Sequence, residues 1–140
     1  MTSLTLKARE VFAHDRYATE ATGAVIEHVD DGSAQCSLAL APHHRNALGA
    51  VMGGVMFTLA DLAFAAAANS ALLAGDEEIA WVSTNSTIHY LAQPHGDRLT
   101  ATARRVRQGR TACVFTIAVA DADGTPIALV TTAGSRLKYH

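Results

Sequence analysis

From Gly53 to Gly75 the chain reads GGVMFTLADLAFAAAANSALLAG, apolar or small almost throughout, with a lone carboxylate, Asp61, near its middle. If this stretch is one helix, residues three or four apart share a face, and Asp61 lines up with Gly54, Thr58, Ala65 and Ala68 in a narrow stripe of small residues. The other faces carry Met56, Leu59, Leu62, Ala63, Phe64 and Ala66, so no side reads as a solvated surface and the helix is expected to be buried. A carboxylate there must find hydrogen bonds, find a cation, or have its pKa raised toward the range of a general base. An Asp at a partly exposed subunit edge, or one bonded to a structural partner, would fit the same pattern. The segment is long enough to span a bilayer, but a central Asp is costly in lipid and no basic flank sets an orientation, so no membrane span is expected.

Around this helix the sequence alternates as strands do. One helix near the N-terminus is followed by extended segments at Ala24 to Val29 and Ser33 to Leu40, joined by the hairpin turn Asp30-Asp31-Gly32. In the second of these, Ala34, Cys36, Leu38 and Leu40 point to one face. After the apolar helix come Ile79 to Leu91, Arg98 to Val106, Thr111 to Ala120 and Thr125 to Leu137, with Pro94-His95-Gly96-Asp97, Gln108-Gly109 and Asp121 to Gly124 as turns. Short turns predict an antiparallel meander of the last four strands, and an all-apolar helix is best buried by a curved sheet wrapped around it. The expected class is α+β, one sheet enclosing one helix, in a single domain over residues 1–140.

A net charge of −2 gives no electrostatic reason to expect nucleic acid or an anionic membrane as a partner. Cys36 and Cys113 stand alone in strand-like segments, without the spacing of a zinc or redox pair, and read as core thiols in a reducing compartment. The charged start, MTSLTLKAREVFAHDRY, lacks the apolar core of a signal peptide, which makes the cytoplasm the expected location. No metal or cofactor is expected.

The loop before the helix, PHHRNALGAVMGG, carries the chemistry. A Gly-Gly pair opening a helix leaves unpaired N–H groups and the positive dipole end unobstructed, a place for a carbonyl oxygen that becomes an oxyanion. Asp61 lies eight residues beyond Gly53, roughly 12 Å along a helix axis, too far for one helix to bring both groups to one reacting carbon. If both act, the carboxylate must meet the Gly53 end of a second copy, which implies antiparallel helices in a dimer with a shared site.

The pattern Asn46-x2-Gly49-x2-Met52-Gly53-Gly54-x6-Asp61 resembles the N-x-x-G-x-x-H-G-G-x6-D signature of hotdog-fold acyl-CoA thioesterases of the PaaI type. The segment STIHYLAQPHGDRLTATARRVRQGR and the D-x-x-G turn at Asp121 are also similar to that family. The resemblance implies a hotdog fold, a homodimer commonly paired into a tetramer, and a coenzyme A thioester as substrate. Carried over by position, it makes Asp61 the nucleophile or water-activating base, Gly53 N–H the group that polarises the carbonyl, and Asn46 an orienting residue. Met52, Gly54 and Thr84 join the expected substrate-binding set.

One position departs from the signature. Met52 stands where the family has His; a methionine can line an acyl pocket but has no hydrogen to donate. The nearby His43 and His44 could substitute but read more simply as solvated loop residues. Arg104, Arg105, Arg107 and Arg110 gather around the Gln108-Gly109 turn, where Arg107 and Arg110 are the expected phosphate contacts, against the plain alternative of a solvated strand end. Asn69 reads as a satisfied core amide, Trp81 as core or interface, and His89 with Tyr90 as sheet packing. The alternative to a hydrolase is a non-catalytic acyl-CoA binding or sensing protein in which Met52 marks lost catalysis; a dehydratase reading lacks the histidine it would need.

Overall fold

The computed structural model describes residues 1–137. Helix α1 (Ser3–Phe12) is followed by a π-helical turn (Tyr17–Thr22) and the hairpin of β1 (Val25–Asp30) and β2 (Ser33–Ala39). After the long helix α2 (Gly53–Ala68) and one short turn of helix, α3 (Ser70–Leu73), come β3 (Trp81–Tyr90), β4 (Arg98–Gln108), β5 (Ala112–Ala120) and β6 (Pro126–Arg136). The β1–β2 turn is tight: Asp30 pairs with Ser33, and Gly32 takes a positive φ of 70° at the second turn position, a conformation that glycine adopts without steric cost.

The six strands form one antiparallel sheet in the order β1-β2-β4-β5-β6-β3. Its concave face meets α2. Met56, Leu59, Leu62, Ala63, Phe64, Ala66 and Ala67 of the helix are buried with Cys36, Leu38, Leu99, Ala101, Ala103, Phe115, Ile117, Val119 and Val130 of the sheet. Alanines on both surfaces let the helix settle close to the strands, and Phe64 meets Phe115 edge to face with ring centroids 5.6 Å apart. This is the hotdog arrangement expected from the motif. Both cysteines are free and buried, and burial pushes the Cys36 thiol up to about 12. Among the described residues, no helix is long and apolar enough to cross a membrane.

Two expectations are corrected. The apolar stretch is not one helix to Gly75: α2 stops at Ala68 because Asn69 leaves helical geometry and turns its amide to β3. Its Oδ1 accepts from Trp81 N–H at 2.7 Å, while Nδ2 donates to the carbonyls of Trp81 and Ala65, so the satisfied core amide is also the hinge between helix and strand.

The last four strands are not a meander in sequence order. Strands β4, β5 and β6 are, but β3 pairs with β6 at the far edge, and residues 91–97 cross the ends of β6 and β5 to reach β4. Three strand spacings are about 14 Å, well within the reach of seven extended residues. The crossing is held at each strand it passes: Leu91 and Ala92 N–H donate to Ile127 C=O, His95 N–H to Asp121 Oδ2, and Leu40 N–H to Asp97 C=O. Asp121 also accepts from Asp123 and Thr125 N–H, and these backbone donors hold its carboxyl below the usual range. As a result β3 runs antiparallel along α2, its start at Asn69 and its end at Gly53.

Candidate functional site

Helix α2 is buried on the faces that carry its large side chains, but the stripe with Asp61 is open in the single chain. Gly54 and Asp61 are exposed, Thr58 and Ala65 half-buried, and only Ala68 of the predicted stripe is covered. The expectation of a helix buried all round is corrected here: its narrow face of small residues is not packed by the sheet and opens instead toward the turn around Asp15 to Ala18. Asp61 opens into a cavity of about 430 Å³ lined by Asp15, Arg16, Tyr17, Phe57, Thr58 and Leu62 among others. Among the described residues its carboxylate has no hydrogen-bond or ion-pair partner. Partial burial, and the negative charge of Asp15 second, raise its pKa above the ordinary aspartate value. Arg16, the cation on that rim, is engaged with Glu20 at 2.9 Å.

The other end of the site is the start of α2. No side chain caps the helix, and among the described residues the Gly53 and Gly54 N–H groups donate to no acceptor. Gly53 faces a second cavity, about 460 Å³, with Val51, Met56, Tyr90, Leu91, Ala92 and Gln93. The loop leading to it is rigidly built. Asn46 Oδ1 accepts from Leu48 and Ala50 N–H at 2.9 and 3.1 Å, so that oxygen is committed to the loop and the Nδ2 group is what Asn46 has left to offer a substrate.

His44 is not solvated as expected. It is 2 % exposed, accepts from Ala41 N–H at Nδ1 and bonds Thr22 C=O through Nε2 at 2.7 Å, which makes it a neutral imidazole protonated at Nε2. Both ring nitrogens are spent, so it cannot substitute for a histidine at position 52. Its own carbonyl accepts from Met52 N–H. The exposed His43 bonds only Ala21 C=O, at 3.3 Å. Met52 itself is 44 % exposed at the helix start.

His89 and Tyr90 do not pack inside the sheet: both are exposed at the end of edge strand β3. Tyr90 instead lies on Gly53. Sequence reasoning missed Tyr90 because nothing local marks it; its position follows from the crossover that carries β3 to the far edge. Asp15 was missed likewise, its nearness to Asp61 being purely tertiary.

Within one chain Asp61 and Gly53 stay apart, opening into different cavities. The other expected residues are dispersed. Thr84 is exposed on β3, its Oγ1 donating to Ala133 C=O at 3.2 Å, six residues or about 20 Å before Tyr90. Arg110 lines a third cavity of about 560 Å³ with Arg105, Arg136, Trp81 and Glu77, near the C-terminal end of α2, whereas Arg107 lies outside it. Arg105 is paired with Asp31 and Arg136 with Glu77, the latter also stacking on Trp81; among the described residues Arg107 and Arg110 have no acidic partner.

A family model described as "Thioesterase superfamily" matches residues 48–128, which include Gly53, Asp61 and Tyr90. The acyl-coenzyme A thioesterase PaaI of Escherichia coli is 32% identical over 123 residues, covering 87% of this chain and 83% of that protein. The structure of the E. coli PaaI protein from the phenylacetic acid degradation operon superposes with a TM-score of 0.80 at 30% identity, over 97% of both chains. A thioesterase family protein from Silicibacter pomeroyi gives a TM-score of 0.83 at 25% identity, over 98% of this chain and all of that one.

Proposed function

The chain belongs to the thioesterase superfamily, and from that premise we propose that it hydrolyses an acyl-CoA thioester to the free acid and coenzyme A. The observation that carries this reading is Asp61: an unpartnered carboxylate with a raised pKa on the one open stripe of an otherwise packed helix. In this reading Gly53 N–H holds the thioester oxygen, Asp61 takes the proton of an attacking water or attacks the carbonyl itself, and the tetrahedral intermediate expels the thiolate; in the second case water then cleaves the acyl-Asp anhydride to release the acid and restore Asp61. Asn46 Nδ2 orients the carbonyl or the water. Met52 and Gly54 border the acyl group, Thr84 lies along its approach, and Arg107 and Arg110 meet the phosphates.

Because Gly53 and Asp61 are about 12 Å apart along one helix, the site is shared between two copies. Two features of the chain support a homodimer. Among the described residues strand β3 leaves its outer edge unpaired over ten residues, an invitation to another strand, whereas β1 at the opposite edge is covered by α1 through Thr5 Oγ1 and Arg9. The Gly54-Thr58-Asp61-Ala65 stripe lets a second helix approach closely. Pairing of these dimers into a tetramer is the further step that the family resemblance implies.

The test is a screen of thiol release from short, medium, long and aromatic acyl-CoA substrates, with the purified protein's mass in solution. Saturable binding without turnover would leave the acyl-CoA binding alternative, which Met52 favours by removing a donor.

A further inference from the structure

Leaving aside its flanking residues and the helix's own backbone, the three heavy atoms nearest to the place where a Cβ on Gly53 would stand all belong to Tyr90: Cζ at 2.7 Å, Cε1 and Oη at 2.8 Å. The phenol occupies the space that the missing side chain leaves. We propose that the Tyr90 hydroxyl is a catalytic donor, sharing with Gly53 N–H the oxygen on which negative charge develops; this rests on the thioesterase reading above.

The distances allow one acceptor to serve both groups. Cβ and N of a residue are about 2.5 Å apart, so Oη lies at most about 5.3 Å from Gly53 N. Two donors that far apart can both reach a single oxygen at ordinary hydrogen-bond length, which spans up to about 5.8 Å. Both open into the same cavity. Among the described residues neither has a partner of its own, and Met52 beside them contributes no side-chain hydrogen.

Tyr90 is also held where this role needs it. Its backbone is registered against Ala128 of β6, Leu91 and Ala92 N–H donate to Ile127 C=O directly after it, and Gln93 grips Val51 just before Gly53. The hydroxyl donates to the oxyanion without giving up its proton, so collapse of the intermediate to acid and thiolate leaves Tyr90 unchanged. The pairing also explains the glycine: a Cβ at position 53 would press on the ring.

The test uses the full chain on the best substrate from the screen. Tyr90→Phe keeps the ring and removes the hydroxyl; kcat should fall about ten- to a hundredfold with KM changed by less than about threefold. Gly53→Ala keeps the N–H but displaces the ring, and should cost a similar factor. Because both act on one contact, the double variant should be no slower than the slower single one. Thermal melts confirm that each variant is folded. Unchanged kcat in Tyr90→Phe, or a loss confined to KM, overturns the proposal while the thioesterase reading stands. Absence of hydrolysis by the unaltered protein across the screen would overturn that reading, and this one with it.

Discussion

Gln93 holds Val51 from both sides: Val51 N–H donates to Gln93 Oε1 at 2.8 Å, and Gln93 Nε2 donates back to Val51 C=O at 3.3 Å. A strand partner is thus imitated by one side chain, and it ties the β3–β4 crossover to the loop that delivers Gly53. Val51 is 2 % exposed, so its polar groups have no water to replace the amide. Gln93→Ala should lower the free energy of unfolding by about 2 kcal/mol, read by urea denaturation, and reduce kcat as the Gly53 end loosens. Unchanged stability would mean that the loop holds itself.

Asp61→Asn should keep the fold and the acyl-CoA affinity but lower hydrolysis at least about a hundredfold, the scale of a lost acid or base. A raised carboxyl pKa means that the folded chain binds the proton more tightly than the unfolded one, so the ionised group weakens folding as pH rises through that range. At neutral pH the Asn variant should therefore melt no lower than the unaltered protein. Equal turnover by Asp61→Asn would return Asp61 to a structural role.

The same shift sets a pH dependence. Asp61 works as a base only when ionised, so activity should rise with pH through a pKa above the ordinary aspartate value of about 3.9. Of the groups facing it, Asp15 opposes ionisation and Arg16 is engaged with Glu20, with the Tyr17 side chain beside them. Asp15→Asn should move the acidic limb of kcat/KM to lower pH, only part of the way, since burial is the larger cause. A limb that stays in place would separate Asp15 from the titrating group.

The elements were legible because their signals are local. Asp31-Gly32 specifies a two-residue turn, the alternation of Ala34, Cys36 and Leu38 fixes a strand face, and Gly-Gly before an alanine-rich run marks a helix start. Asp61 stood out because a charge in apolar surroundings is costly wherever the chain goes. The strand order was not legible: Pro94 to Asp97 signals that the chain turns, but not whether it joins neighbours or crosses two strand ends. Everything that depends on that crossing was hidden with it, including Tyr90 on Gly53 and Gln93 on Val51. His44 was misread for a related reason, since its partner Thr22 lies in a separate segment and no spacing announces it.

A shared site makes a prediction about mixtures. Chains with Asp61→Asn lack the carboxylate, and chains with Gly53→Pro lack the helix-start N–H and have the Tyr90 ring displaced by the proline Cβ, while the backbone accepts proline because Met52 before it is already extended. Each homogeneous protein should be nearly inactive. Hybrid dimers formed by co-refolding contain one site with both groups intact, so activity should return toward half of the unaltered value per dimer. Verified hybrids without recovered activity would place both groups in the same chain.

Met52 is where the chain leaves its family's signature, and its exposure at the start of α2 leaves room for another side chain. A histidine there would add one hydrogen bond to the developing oxyanion, worth roughly 1.5 to 3 kcal/mol in the transition state, or about ten- to a hundredfold in rate. Met52→His should therefore raise kcat more than it changes KM, because a bond made mainly to the oxyanion does little for the bound ground state. If Tyr90 already supplies one side-chain donor, the gain should be near tenfold in the unaltered protein and larger when Tyr90→Phe has removed that donor. A methionine retained to pack the acyl chain predicts the opposite: histidine would weaken binding of long or aromatic acyl groups with no faster chemistry. Steady-state kinetics of Met52→His in both backgrounds separates the two, and a kcat that is unchanged or lower in both would sink the missing-donor account.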